Sequence, residues 1–139
     1  MKTVITFGTF DVVHKGHESY LKQAKELGDY LITVVARDEV ALKIKKQKPQ
    51  SSEQERLEEI RESGLVDEVV LGNLEDKYKV LEKYRPDVIA LGYDQRVDLE
   101  ELKIKLKEFK LNSKIIRLKA YQSEVYKSSK IKKVYGRNS

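Results

Sequence analysis

The sequence predicts an α/β fold in which a parallel, doubly wound sheet of five strands is flanked by helices. Three observations carry this expectation. Five short apolar runs, at 2–7, 30–36, 67–71, 87–91 and 114–118, are separated by stretches of helical character. The second run, Tyr30 to Ala36, is apolar and β-branched rather than alternating, as in a strand covered on both faces. Strands that alternate with helices build parallel sheets with right-handed crossovers. In such sheets a ligand sits outside the carboxyl ends of the strands, where the strand order reverses.

Each element has its own signal. The first strand ends in Val4-Ile5-Thr6-Phe7. A helix over 16–27 follows, with Tyr20, Leu21, Ala24 and Leu27 at three-four spacing and Gly28 as its expected C-cap. The run Tyr30 to Ala36 is the second strand. Arg37 to Gln50 is basic and weakly periodic, so it is expected to be a loop, helical at most in part. Ser51-Ser52-Glu53-Gln54-Glu55 has the form of a capping box and opens a helix to Ser63, closed by Gly64. Helices over 77–84 and 98–110 follow the third and fourth strands, the former stopped by Pro86. Ser128 or Ser129 is expected to cap a last short helix through Tyr135.

Composition narrows the function classes. A chain of 139 residues has the size of one domain, here 1–139 with a flexible tail, and can bury roughly two-thirds of its unfolded surface. It has no cysteine, which removes disulfides, thiolate nucleophiles and cysteine zinc sites. Met1-Lys2-Thr3 does not open a signal peptide, and no apolar run approaches the ~20 residues of a membrane span, so a cytoplasmic protein is expected. The net charge is +5, concentrated in Lys43-Ile44-Lys45-Lys46-Gln47-Lys48 and in the tail from Lys127 to Arg137. Such clusters attract phosphates. Lysines without interleaved aromatics argue against RNA readout, so a nucleic-acid partner is not expected.

Chemistry concentrates behind the first strand, in Gly8-Thr9-Phe10-Asp11-Val12-Val13-His14-Lys15-Gly16-His17. Both histidines of the chain fall within four residues, and neither fits an apolar stripe. Gly8 is expected to let the backbone turn. Gly16 would let an anion approach the main chain at the N-terminus of the following helix. The two imidazoles can donate to phosphate oxygens. Neither the dinucleotide-binding glycine fingerprint nor the Walker pattern is present.

Gly8-Thr9-Phe10-Asp11 with His14-Lys15-Gly16-His17 resembles the signature of the cytidylyltransferase-like nucleotidyltransferases, and the similarity runs from Thr3 to about Lys132. The resemblance implies a Rossmann-like domain that joins a nucleoside triphosphate, ATP or CTP, to a phosphate-bearing acceptor and releases pyrophosphate. It implies that His14 and His17 hold the triphosphate and stabilise charge in the transition state. By the same resemblance Thr9, Phe10, Lys15, Gly16, Gly92, Asp94 and Tyr121 belong to the nucleotide site, and Asp11 acts near the reacting phosphates. Ser128-Ser129-Lys130-Ile131 resembles a late element of the family whose hydroxyls grip phosphates. The basic run lies where relatives carry a basic loop. This points to Lys45, Lys46 and Lys48 as phosphate contacts, with Lys46 catalytic. Arg56 falls where relatives have an arginine; a helix-surface Arg paired with Glu53 or Glu59 is the alternative. Mg²⁺ is implied, with Asp11 and Asp94 as its candidate ligands.

Ala36-Arg37-Asp38, Lys48-Pro49 and Gly92-Tyr93-Asp94-Gln95 are similar to the archaeal type of FAD synthase, which adenylylates FMN. That ranks FMN adenylylation first and cytidylylation of glycerol 3-phosphate, or of a similar phosphorylated or phosphonate acceptor, second. Phe7, Phe10, Tyr93 and Tyr126 are candidates to cover a flavin ring. The resemblance also implies a homodimer.

Overall fold

The computed structural model describes residues 1–11, 15–46, 48–93 and 95–120. Five strands form one sheet: β1 (Thr3–Gly8), β2 (Tyr30–Val35), β3 (Glu68–Leu71), β4 (Val88–Leu91) and β5 (Lys114–Arg117). All pairings are parallel, and the order is β3-β2-β1-β4-β5. The order reverses between β1 and β4, which puts the carboxyl ends of those two strands at the switch point.

The helices are α1 (Lys15–Lys25), α2 (Asp38–Lys45), α3 (Glu53–Glu62), α4 (Lys79–Tyr84) and α5 (Leu99–Glu108). Side chains alternate between the faces of the sheet. Ile5, Ile32, Val34 and Ile89 pack with Val80, Leu81, Leu102 and Leu106 of α4 and α5. Val4, Leu31, Val88 and Ala90 pack with Ala24 of α1 on the other face. Beside them Val35 and Val69 meet Leu21 of α1 and Leu57 and Ile60 of α3. Double coverage is why β2 and β4 are almost wholly buried. The buried polar pair Thr6 and Thr33, partners in the β1–β2 register, bond to each other at 3.0 Å between their Oγ1 atoms.

The predicted capping box forms at Ser52: its hydroxyl accepts from Glu55 N, and the Glu55 carboxylate accepts from Ser52 N. Asp98 caps α5 in the same manner through Glu101 N. Gly64 closes α3 at φ +72°. Two expectations change. The basic segment after β2 is helical over eight of its residues, which form α2, so more of it is helix than loop. Ala41, 1 % exposed, packs this helix against the rest of the fold, and its N-cap Arg37 gives no side-chain cap to mark its start in the sequence. And α1 stops at Lys25, without Gly28 as a left-handed cap. Gly28 is needed for a close approach: a Cβ there would lie 2.7 Å from Lys2 O and 2.8 Å from Val4 Cγ2. The helix expected from Ser128 or Ser129 to Tyr135 lies outside the described residues.

Candidate active site at the switch point

The carboxyl ends of β1 and β4 are joined by two side chains. The Tyr20 hydroxyl, on α1, lies 3.2 Å from Phe7 O and 3.0 Å from Ala90 O, so one proton is shared between two strands. Burial pushes this phenol up from its ordinary pKa, against the opposing hydrogen bonds to Phe7 and Thr6. It therefore stays protonated and serves as a donor. Gln95 makes the second bridge. Its Oε1 accepts from Gly92 N at 3.0 Å, and its Nε2 donates to Phe7 O at 3.3 Å. Arg117 of β5 donates to Gly92 O at 2.8 Å and so fixes the turn after β4.

The turn after β1 is built around Phe10. The residue sits at φ 55°, and its ring is 3 % exposed among Leu21, Val35 and Leu57. The ring stacks on Tyr20 at 6.1 Å and meets His17 edge-on at 5.4 Å. A Cβ on Gly8 would come within 2.7 Å of Phe10 Cε2. The left-handed residue of this turn is thus Phe10. Gly8 is required for the space under that ring, not for freedom of its own backbone. The turn delivers the chain to the first turn of α1, where Gly16 and His17 lie. A helix N-terminus at the end of a central strand favours an anion.

Behind the turn lies a network of four charges. Arg56 is 0 % exposed. Its Nη1 donates to Thr9 O at 2.8 Å, its Nε to Ser51 O at 3.1 Å and its Nη2 to Asp38 Oδ1 at 2.5 Å. Arg37 Nε donates to Glu53 at 3.1 Å. The first residues of α2 and α3 are also tied: Asp38 N donates to Glu53 Oε1 at 2.8 Å, and Glu53 N to Asp38 Oδ2 at 3.2 Å. Partial burial works against charge on Asp38. The Arg56 hydrogen bond, the Glu53 backbone N–H and the fields of Arg56 and Lys48 outweigh it and hold the carboxyl below its usual range. Asp11 makes the remaining tie, accepting from Gln50 N at 2.8 Å and Ser51 N at 3.0 Å.

The profile of the family described as cytidylyltransferase-like matches residues 5–134. The chain belongs to the cytidylyltransferase-like family. Among its relatives is an FAD synthase of Ferroglobus placidus, 43 % identical over 132 residues, which are 94 % of this chain and 86 % of that one. An FAD synthase of Thermococcus sibiricus is 44 % identical over 130 residues, 92 % of this chain and 88 % of the other. A solved structure described as a lipopolysaccharide core biosynthesis protein, from Thermoplasma volcanium, superimposes with a TM-score of 0.82 at 41 % identity, covering 87 % of this chain and 98 % of its own.

Of the residues that the family signature singles out, Gly8, Thr9, Asp11, Gly16, His17 and Gly92 gather at the carboxyl ends of β1 and β4. Lys46 ends α2 as a left-handed C-cap, and Lys46 and Lys48 are exposed. Lys15 opens α1 and Lys45 closes α2, each described by backbone only. His14, Asp94, Tyr121, Tyr126, Ser128 and Ser129 lie outside the described residues. Two expectations are corrected. The Phe10 ring packs in the core, so it does not offer open cover for a flavin ring. Arg56 is not a helix-surface residue: its buried guanidinium donates to Thr9, Ser51 and Asp38. Asp11 has both carboxylate oxygens on backbone N–H groups, and no group of three or more His, Asp or Glu among the described residues could hold a metal. Asp11 thus clamps the β1 turn to the start of α3. Sequence reasoning missed Asp38, Glu53, Tyr20 and Gln95 as site-building residues. Three of them stood in quoted motifs, Asp38 in Ala36-Arg37-Asp38, Glu53 in the capping box Ser51-Ser52-Glu53-Gln54-Glu55 and Gln95 in Gly92-Tyr93-Asp94-Gln95. No helix of the described residues is long and apolar enough to cross a membrane.

Proposed function

We propose that this chain is an FMN adenylyltransferase, an FAD synthase. A phosphate oxygen of FMN attacks the α-phosphorus of ATP, the bond to the β-phosphate oxygen breaks, and FAD and pyrophosphate leave. The observation that carries the reading is the similarity to FAD synthases above 40 % identity over more than nine-tenths of the chain. The geometry supports it: a pre-shaped turn, a helix N-terminus and His17 stand together at the switch point, where a polyphosphate is expected.

The attacking oxygen is anionic near neutral pH, so the reaction needs alignment and charge neutralisation more than a strong base. His14, His17 and the first turn of α1 serve the triphosphate, as do the late serines Ser128 and Ser129. The lysines at the end of α2, Lys45, Lys46 and Lys48, neutralise charge on the transferring phosphate. Arg56 and Asp11 act on the reacting atoms indirectly, by fixing Thr9 and the β1 turn. A Mg²⁺ ion bound by the triphosphate would supply further charge neutralisation at the phosphates. The homodimer and the cytoplasmic location belong to the same reading.

The test crosses ATP or CTP with FMN or glycerol 3-phosphate and reads pyrophosphate release. Release is expected with ATP plus FMN alone, and His17→Ala is expected to lower it by about 10²–10³-fold. Release with CTP and glycerol 3-phosphate, and none with FMN, overturns the proposal.

A further inference from the structure

A cavity of 620 Å³ opens between the carboxyl end of the edge strand β3 and α4, two strands from β1. That is within the ~300–1,000 Å³ of small-molecule sites. Its walls are apolar where β3 meets α4, at Val70, Leu71, Val80 and Tyr84. Leu74, on the following loop, stands at the rim and is 48 % exposed, as an apolar side chain awaiting cover would be. The loop is pre-shaped, since Asn73 Oδ1 accepts from both Glu75 N and Asp76 N. Arg37, Lys79 and Lys83 bring cations to the same walls.

The strand register sets the distance to the reaction centre. Gly8 pairs with Val35, and Val35 with Leu71, so one row runs from the β1 turn to the cavity. Two strand spacings are about 10 Å. A molecule with its phosphate at the β1 turn and an aromatic system at the cavity must join them by a linker of that order. FMN has this form: phosphate, a five-carbon ribityl chain, then the isoalloxazine ring. The lining fits the ring better than a phosphate. Apolar walls suit the ring faces and its dimethylbenzene edge, while donors such as the Arg37 guanidinium suit the carbonyl oxygens and ring nitrogens of the opposite edge. Glu75 and Glu82 also line the cavity and disfavour a polyphosphate there.

We propose that this groove between β3 and α4 holds the isoalloxazine ring of the acceptor. The proposal rests on FMN as acceptor, the reading given above. It assigns acceptor recognition to Leu71, Leu74, Val80 and Arg37, away from the motif behind β1 that serves the nucleotide and from Tyr84, whose hydroxyl donates to Glu68 at the amino end of β3.

The experiment titrates FMN with the full chain and follows quenching of flavin fluorescence, for the wild type and for Gly72→Leu and Leu74→Asp. A Cβ at Gly72 has room, its nearest neighbours being Val34 Cγ1 at 3.5 Å and Val35 O at 3.7 Å, so the leucine fills the groove floor without breaking the sheet. Leu74 is exposed, so an aspartate there leaves the core intact. Both variants are expected to weaken FMN binding by about tenfold or more, with ATP affinity and melting temperature close to wild type. Riboflavin, which lacks the phosphate, is expected to compete with FMN in the wild type. Unchanged FMN affinity in both variants overturns the groove assignment, and FAD formation by the wild type in the same samples would leave the proposed function standing. A shift in oligomeric state with FMN affinity intact assigns the groove to a second copy of the chain, which also overturns the proposal. A wild-type protein that neither quenches FMN nor forms FAD overturns both readings. Quenching that is lost in the variants, without FAD formation, supports the groove and removes the adenylyltransferase.

Discussion

Asp38 and Glu53 cap each other's helices. Each opens its helix, and each carboxylate accepts the other's backbone N–H, at 2.8 and 3.2 Å. The N-cap residue Arg37 offers α2 no side-chain cap, so the start of α2 depends on Glu53. Glu53 is in turn held by Arg37, and Asp38 by Arg56. The consequence reaches the site, because the basic end of α2 takes its direction from a helix that Arg56 and Asp11 tie to the β1 turn.

Glu53→Ala is therefore expected to destabilise the protein by about 0.5–2 kcal/mol, the range for a lost cap. Amide exchange should rise along α2 more than along α3, because α3 keeps its own capping box at Ser52 and Glu55. Glu53→Gln retains an acceptor for Asp38 N and should recover part of both effects. Denaturant unfolding and hydrogen exchange of the two variants decide this. Equal exchange in α2 and α3 would show that the reciprocal cap is not what holds α2.

Acid should loosen the same joint. The Asp38 carboxyl lies below its usual range, so the folded state binds its proton less readily than the unfolded chain. Its contribution is complete above about pH 4, the usual carboxylate range, and disappears as pH falls through the lower folded value. Asp67, lowered first by its hydrogen bond from Lys25, adds a contribution of the same sign. Unfolding midpoints between pH 6 and pH 2 are expected to fall for the wild type, and less steeply for Asp38→Asn. Parallel curves would exclude Asp38 from the acid response.

Arg56→Lys is expected to fail as a conservative change. Three partners in different directions take three nitrogens of one planar group, which a single ammonium cannot match. The substitution leaves Thr9 O or Asp38 under-satisfied in a fully buried place, at a cost of about 2–4 kcal/mol. Thr9 positions the turn without being the reacting group, so kcat should fall in the fraction that remains folded. Added guanidinium ion at low concentration should restore part of it in Arg56→Ala. A direct phosphate contact would instead raise the nucleotide KM with little change in stability.

What the sequence made legible follows how completely a residue's surroundings determine it. β1, β2 and β4 stand out as unbroken apolar runs because helices cover both their faces, and α3 because its capping box is a local signal. α2 was legible only as a partly helical segment, because no side chain caps its start and, among its residues with described side chains, Ala41 is the one that is fully buried. That Gly8, Gly16 and His17 lie together after β1, at the start of α1, was readable from a contiguous motif. The roles of Phe10, Arg56 and Asp11 were not, because they depend on partners 39 to 47 residues away for the two charged ones, and on a left-handed backbone for the phenylalanine. An arginine on a Glu-rich helix reads as a surface residue until the fold buries it.

The two bridges across the switch point can be separated by experiment. Tyr20→Phe removes a shared hydrogen bond and keeps the ring that stacks on Phe10, so it should cost about 1 kcal/mol and a few degrees of melting temperature. Its effect on turnover should be small, because the Phe10–His17 contact persists. Gln95→Leu acts in the opposite proportion. Gln95 is partly exposed, and its amide holds Gly92 N and Phe7 O in fixed relation at the mouth of the site. Its loss should change stability little, yet lower kcat/KM by about ten- to a hundredfold, since a misplacement of about 1 Å is enough for that. Gln95→Glu keeps an acceptor for Gly92 N, loses the donor to Phe7 O and brings a negative charge toward the nucleotide. It should therefore be worse than Gln95→Leu for nucleotide KM and no worse for folding. Steady-state kinetics and thermal melts on the three variants test the assignment. A Tyr20→Phe protein with the larger kinetic defect would reverse it and make the tyrosine, not the glutamine, the residue that sets the geometry between β1 and β4.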